Sequence, residues 1–128
     1  MEVKVKQIVH SLVYEKGYAC SVDLLTQLGY LSSTDLEAWR FGRVSYLESV
    51  CHVNLSKLTL ISKTMRQVAV ELHLERSVTV YHKFGKGAKM RLRFSKSGQH
   101  NIEEAYSTHY LDKKRIGEVK INKAPKEG

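Results

Sequence analysis

Residues 77–95 read S-V-T-V-Y-H-K-F-G-K-G-A-K-M-R-L-R-F-S, two alternating runs around a Gly85-Lys86-Gly87 centre. Period-two alternation bounded by glycines predicts an antiparallel β-hairpin over about 77–95. Along its first strand Val78, Val80, His82 and Phe84 share one face, and Thr79, Tyr81 and Lys83 share the other. Along its second, Met90, Leu92 and Phe94 oppose Lys89, Arg91 and Arg93. A three-residue loop sets Lys83 across from Lys89 and Tyr81 across from Arg91, which gathers the apolar side chains on one face. A loop one residue longer or shorter mixes the two sets, so burial selects the odd loop. Gly87 suits the left-handed position that three-residue hairpins require. The expected wet face carries Thr79, Tyr81, Lys83, Lys89, Arg91 and Arg93, with Lys86 at the tip. His82, on the apolar side, reads as a hydrogen-bonded core histidine.

Charge makes that face a candidate site. From Arg76 to Ile102 the basic residues are Arg76, Lys83, Lys86, Lys89, Arg91, Arg93 and Lys96, and no acidic residue intervenes. A one-signed cluster repels itself, a cost that an anionic partner offsets. Tyrosine ringed by arginine and lysine suits base stacking combined with phosphate pairing. The competing reading is a solvated ribbon whose lysines keep an exposed edge from aggregating.

Outward from the ribbon, 128 residues with 42% hydrophobic content suffice for one core. The net charge of +8 and pI of about 9.5 favour acidic partners. No apolar run approaches the ~18 residues of a bilayer span, and M-E-V-K-V-K-Q lacks the layout of a signal peptide. Cys20 and Cys51 form no C-x-x-C pattern and read as free thiols in a reducing compartment. The expectation is a cytoplasmic protein with no membrane attachment.

Before the ribbon the period changes to that of helices. Val5, Ile8, Val9, Leu12 and Val13 describe a helix from about residue 3 to Glu15, ended by Gly17. Ser21 opens a short helix closed by Gly29, and Thr34-Asp-Leu-Glu37 and Ser45-Tyr-Leu-Glu48 read as two capping boxes. Asn54 or Ser56 opens the longest helix, with Leu55, Leu58, Ile61, Met65, Val68, Ala69 and Leu72 on its apolar stripe. Beyond the ribbon, Asn101 caps a helix holding Ile102, Ala105, Tyr106, His109 and Tyr110. The expected class is α+β: mainly helical, five to six helices with one antiparallel β-hairpin. The order of elements is that of a winged helix-turn-helix domain, an analogy at fold level only. Residues 1–111 read as the single domain, and 112–128 as a flexible basic tail.

Three segments carry a resemblance. Trp39-Arg-Phe-Gly-Arg-Val-Ser-Tyr-Leu-Glu48, Tyr81-His-Lys-Phe-Gly-Lys-Gly87 and Leu92-Arg-Phe-Ser-Lys-Ser-Gly98 resemble a group of small bacterial proteins. That group shares a W-R-x-G-R-V-x-Y-L-E core, often with proline where Ser45 stands here. The likeness spans roughly Cys20 to Tyr110 and implies that this stretch is one unit. It implies no activity.

Elsewhere the residues support little chemistry. On the long helix, Lys63 and Arg66 lie off the apolar stripe, either as a groove-facing reach or as an ordinary solvated face. Arg40 and Arg43 suit a helix C-terminus, where the dipole favours cations and Glu37 or Glu48 offers a partner. Trp39 shares a face with Leu36 and reads as a core anchor. Six histidines show no recognised metal-ligand spacing. No nucleophile elbow, Walker loop or dinucleotide fingerprint is present, so neither catalysis, metal nor cofactor is expected. Glu103 and Glu104 beside His109 can be drawn as an acid-base set, but Glu104 has a simpler capping role. The expected function is a small nucleic-acid-binding module gripping phosphates through the hairpin. Docking on an acidic protein surface is the alternative.

Overall fold

The computed structural model describes residues 2–123. Six α-helices and a small three-stranded antiparallel sheet make up the described chain, the α+β class expected. In chain order these are α1 (Glu2–Lys16), β1 (Tyr18–Ala19), α2 (Ser21–Gln27), α3 (Ser33–Arg40), a 3-10 turn (Leu47–Val50), α4 (Leu55–Glu71), β2 (Glu75–Val78), α5 (His100–Ser107), β3 (Thr108–Leu111) and α6 (Lys113–Lys123).

The helical stripes bury as their spacing predicts. Val5, Ile8, Val9 and Leu12 of α1 pack against Leu58, Ile61, Met65, Val68 and Ala69 of α4. Leu55, at the first turn of α4, faces solvent instead. Local chemistry sets the helix starts. The Asn54 side chain accepts from the Lys57 N–H at 2.8 Å, and Ser32, not Thr34, caps α3 through the Asp35 N–H at 3.1 Å. Neither Ser21 nor Ser45 serves as a cap: α2 follows Cys20, and the 3-10 turn follows Tyr46. Among the described residues no helix is long and apolar enough to cross a membrane.

The sheet departs from expectation. Its order is β1-β3-β2, with Glu75–Val78 paired to Thr108–Leu111 and not to the return strand of the ribbon. The helix expected to run through His109 and Tyr110 ends at Ser107, and those two residues lie in β3. β-Branched Thr108 and the aromatic Tyr110 point inward on the strand and are buried, which a pleated surface accommodates well. The ribbon is therefore an excursion of residues 79–99 between β2 and α5.

The expected tail 112–128 begins as structure. Residues 113–123 form α6, which packs on α1. Asp112 N–H donates to Gly17 O at 2.7 Å, and Arg115 Nε donates to Tyr14 O at 2.7 Å. The flexible tail is corrected over this span, while 124–128 lie outside the described residues.

Candidate nucleic-acid interface

In place of the two-stranded hairpin expected over 77–95, the ribbon closes through a single isolated bridge, one residue out of the expected register. Its bridge joins His82 to Arg91, with the Lys83 N–H donating to Met90 O and the Leu92 N–H to Tyr81 O, both at 2.7 Å. Tyr81 thus faces Leu92 instead of Arg91, and Gly85–Ala88 form an even connection. The slip inverts the first strand: Val78, Val80, His82 and Phe84 look outward, and Tyr81 looks in.

The reason lies in what Tyr81 finds inside. Its ring packs against Phe94 at 5.2 Å and Trp39 at 5.7 Å, and its hydroxyl meets His109 Nε2 at 2.7 Å. Burial holds the phenol well above its ordinary pKa. A half-buried tyrosine packed on two rings and given a hydroxyl partner outweighs a buried His82, and the three outward apolar residues Val78, Val80 and Phe84 bear the cost.

The return strand is held on three sides. Trp39 Nε1 donates to Arg93 O at 2.8 Å, and the Leu47 N–H reaches the same oxygen at 3.1 Å. The Glu48 N–H donates to Phe94 O at 2.9 Å. Glu48 then accepts from the Lys96 N–H at 2.9 Å and from the Tyr106 hydroxyl at 2.7 Å. Glu103 accepts the Phe94 and Ser95 N–H groups at 2.8 and 2.7 Å and the Ser95 hydroxyl at 2.6 Å. The W-R-F-G-R-V-S-Y-L-E and L-R-F-S-K-S-G segments are therefore two halves of one interlock. Glu103 is no acid-base partner of His109, because it anchors the ribbon.

That framework sorts the candidate residues. Lys86, Lys89 and Arg91 are exposed, and none forms an ion pair among the described residues. Lys83 is half-buried, its stem lying against Gly42. Thr79 is half-buried, its N–H bonded to Ser107 O at 2.9 Å. Tyr81 belongs to the interior. Arg93 folds onto its own turn, donating from Nε to Ser95 O at 2.8 Å and from Nη2 to Lys96 O, with the Tyr46 ring beside it. Lys63 and Arg66 are exposed on α4. Arg66 bears with Arg76 on Tyr110, so it sits by the sheet and not at the ribbon tip.

Sequence reasoning missed two features of the outer face. Phe84 and His82 stand exposed beside Arg91 and Lys89. Phe84 also docks the ribbon tip on α3: its N–H donates to Arg40 O at 2.7 Å, and its ring meets Phe41 edge-on at 5.8 Å. No local signal reveals this, because the partners are some forty residues apart in the chain. Among the described residues Arg40 and Arg43 take no carboxylate partner, in place of the pairing with Glu37 or Glu48. They lie over aromatic rings instead. Comparison of the chain with protein-family models, curated proteins and solved structures found no match.

Proposed function

We propose that this protein is a small, non-enzymatic nucleic-acid-binding module that contacts backbone phosphates through Lys86, Lys89 and Arg91. Lys83 contributes from the side, and Lys63 and Arg66 of α4 form a separate, secondary patch. The observation that carries the reading is that Lys86, Lys89 and Arg91 are exposed together on a stretch that holds no acidic residue from Arg76 to Ile102, and that none has a carboxylate partner among the described residues. A cation left unpaired on a protein of net charge +8 is available to a polyanion. The order of helix, short strand, helices, edge strand, ribbon and central strand, with α5 inserted before the last, supports the winged helix-turn-helix analogy, with α4 as the groove-facing helix.

Mobility-shift titration against duplex DNA, single-stranded DNA and structured RNA tests this. Joint charge reversal, Lys89→Glu with Arg91→Glu, is expected to weaken binding at least about tenfold at low salt. Arg93→Gln, at a side chain committed to its own turn, is expected to lower stability and leave affinity near wild type. Unchanged affinity in the double reversal overturns the assignment.

One observation favours a second reading. Val78, Val80 and Phe84 are exposed on the outward face of the first strand and its approach. An apolar strip rimmed by cations also fits an acidic protein surface. In that case a specific polypeptide co-purifies, survives nuclease treatment and is lost with Phe84→Ser.

A further inference from the structure

Arg40 is the last residue of α3, and its side chain lies beneath the ribbon instead of extending into water. Its guanidinium carbon stands 3.8 Å from the Phe84 ring centre and 5.0 Å from that of Tyr81. Nη1 is buried and has no hydrogen-bond partner, and no carboxylate among the described residues reaches the group. Stacking on two rings offsets part of the cost of burying a charge. It leaves Nη1 without an acceptor, while the rest of this half-buried group borders the cleft. Buried charges are ordinarily paired, and a buried donor without an acceptor calls for one. Desolvation already pulls the pKa of this group down, with only Tyr81 opposing it.

The same residue lines a cleft of about 320 Å³ at the root of the ribbon, within the size range of small-molecule sites. Val22, Leu36 and Val80 supply apolar wall. Tyr18 and His109 stack face on face, their rings 5.2 Å apart and nearly parallel at 7°, and close one end of the cleft. The carboxylate of Asp23, also in the cleft, is already held by Lys16 at 2.6 Å and does not neutralise Arg40. Burial lowers the pKa of His109, which keeps that ring neutral near pH 7. The cleft therefore offers a guanidinium with no carboxylate partner among the described residues, together with apolar walls.

We propose that this cleft binds a small organic acid with an apolar body, its oxyanion held by the Arg40 guanidinium and its body lying against the wall formed by Val22, Leu36 and Val80. The site stands independently of how the ribbon is read, since none of Lys86, Lys89 or Arg91 lines it.

The test is a set of titrations of the full-length, isotope-labelled protein followed by amide chemical shifts. The probes are benzoate, phenyl phosphate, benzyl alcohol and a 5′-phosphorylated dinucleotide. Benzoate is expected to shift the amides of Cys20, Tyr81 and His109 saturably, with benzyl alcohol at least about tenfold weaker. Arg40→Gln is expected to remove the preference for the acid over the alcohol. If that variant fails to fold, the wild-type comparison of acid with alcohol decides alone. Saturation by phenyl phosphate as well supports the oxyanion chemistry. The proposal is overturned if benzyl alcohol binds as well as benzoate, if benzoate only perturbs the ribbon lysines without saturating, or if no probe shifts the cleft. Saturation by the dinucleotide alone also overturns it, because Arg40 then belongs to a nucleic-acid surface.

Discussion

Glu103 shows how far one side chain's role can lie from its sequence context. Beside Glu104 and near His109 it can be drawn as part of an acid-base set, yet its carboxylate takes three hydrogen bonds from Phe94 and Ser95 and pins the return strand. Glu103→Ala leaves two backbone donors and a hydroxyl at buried residues without acceptors. It is expected to cost about 2 to 4 kcal/mol, read from the denaturant midpoint. Glu103→Gln, which keeps one carbonyl acceptor, is expected to cost about half as much. Cys20 and Cys51, pushed by burial to about 12 and about 11, are poor nucleophiles, in keeping with two structural thiols. His109 makes stability depend on pH. Desolvation depresses its folded pKa below the ordinary 6.5, with Asp23 opposing that shift and Lys16 adding to it. As pH falls the unfolded chain therefore takes up this proton first, and stability drops from about pH 7 downward until the folded group titrates as well. His109→Gln is expected to flatten that part of the profile. The wild-type and variant urea midpoints, compared at about pH 7.5 and about pH 5.5, provide the check.

Elements form where local signals agree, and their partners are chosen elsewhere. The stripe on α1, the Asn54 cap and the long apolar periodicity of α4 were all legible, because helical hydrogen bonds and faces are set within a few residues. The ribbon was legible as an element but not in register. Both registers satisfy alternation, and the choice between them rests on Trp39, Phe94 and His109 receiving Tyr81. α6 was read as tail because its sequence is rich in lysine and weakly periodic, so its docking comes from contact with α1 and not from propensity. Gly17 makes that contact possible. It has φ +86°, and a Cβ there would stand 2.7 Å from Ile116 N and Cα. Gly17→Ala therefore combines backbone strain with a clash against main-chain atoms. It is expected to cost more than about 1 kcal/mol and to expose residues 113–123 to proteolysis before global unfolding.

Across the whole molecule, charge is distributed unevenly. The Lys and Arg ion pairs sit on α1, α2, α4, β2 and α6, while the ribbon cations have no carboxylate partner among the described residues. With Tyr81 inside and Arg93 folded onto its own turn, about three or four phosphates remain within reach of Lys83, Lys86, Lys89 and Arg91. On duplex DNA, log K is then expected to fall with log salt at a slope of about −3 to −4, and Lys89→Glu with Arg91→Glu to reduce the slope by about two. A slope unchanged by that double reversal would place binding elsewhere, with Lys63 and Arg66 next to be tested. Composition, charge, helix periodicity and the existence of a basic ribbon followed from the sequence alone, because each depends on residues within a turn or a strand of one another. Which face of the ribbon is wet, which strand pairs with β2, and whether 113–123 docks were decided only in three dimensions. Each of those choices compares burial against partners far away in the chain, and a local pattern that fits two arrangements equally cannot rank them.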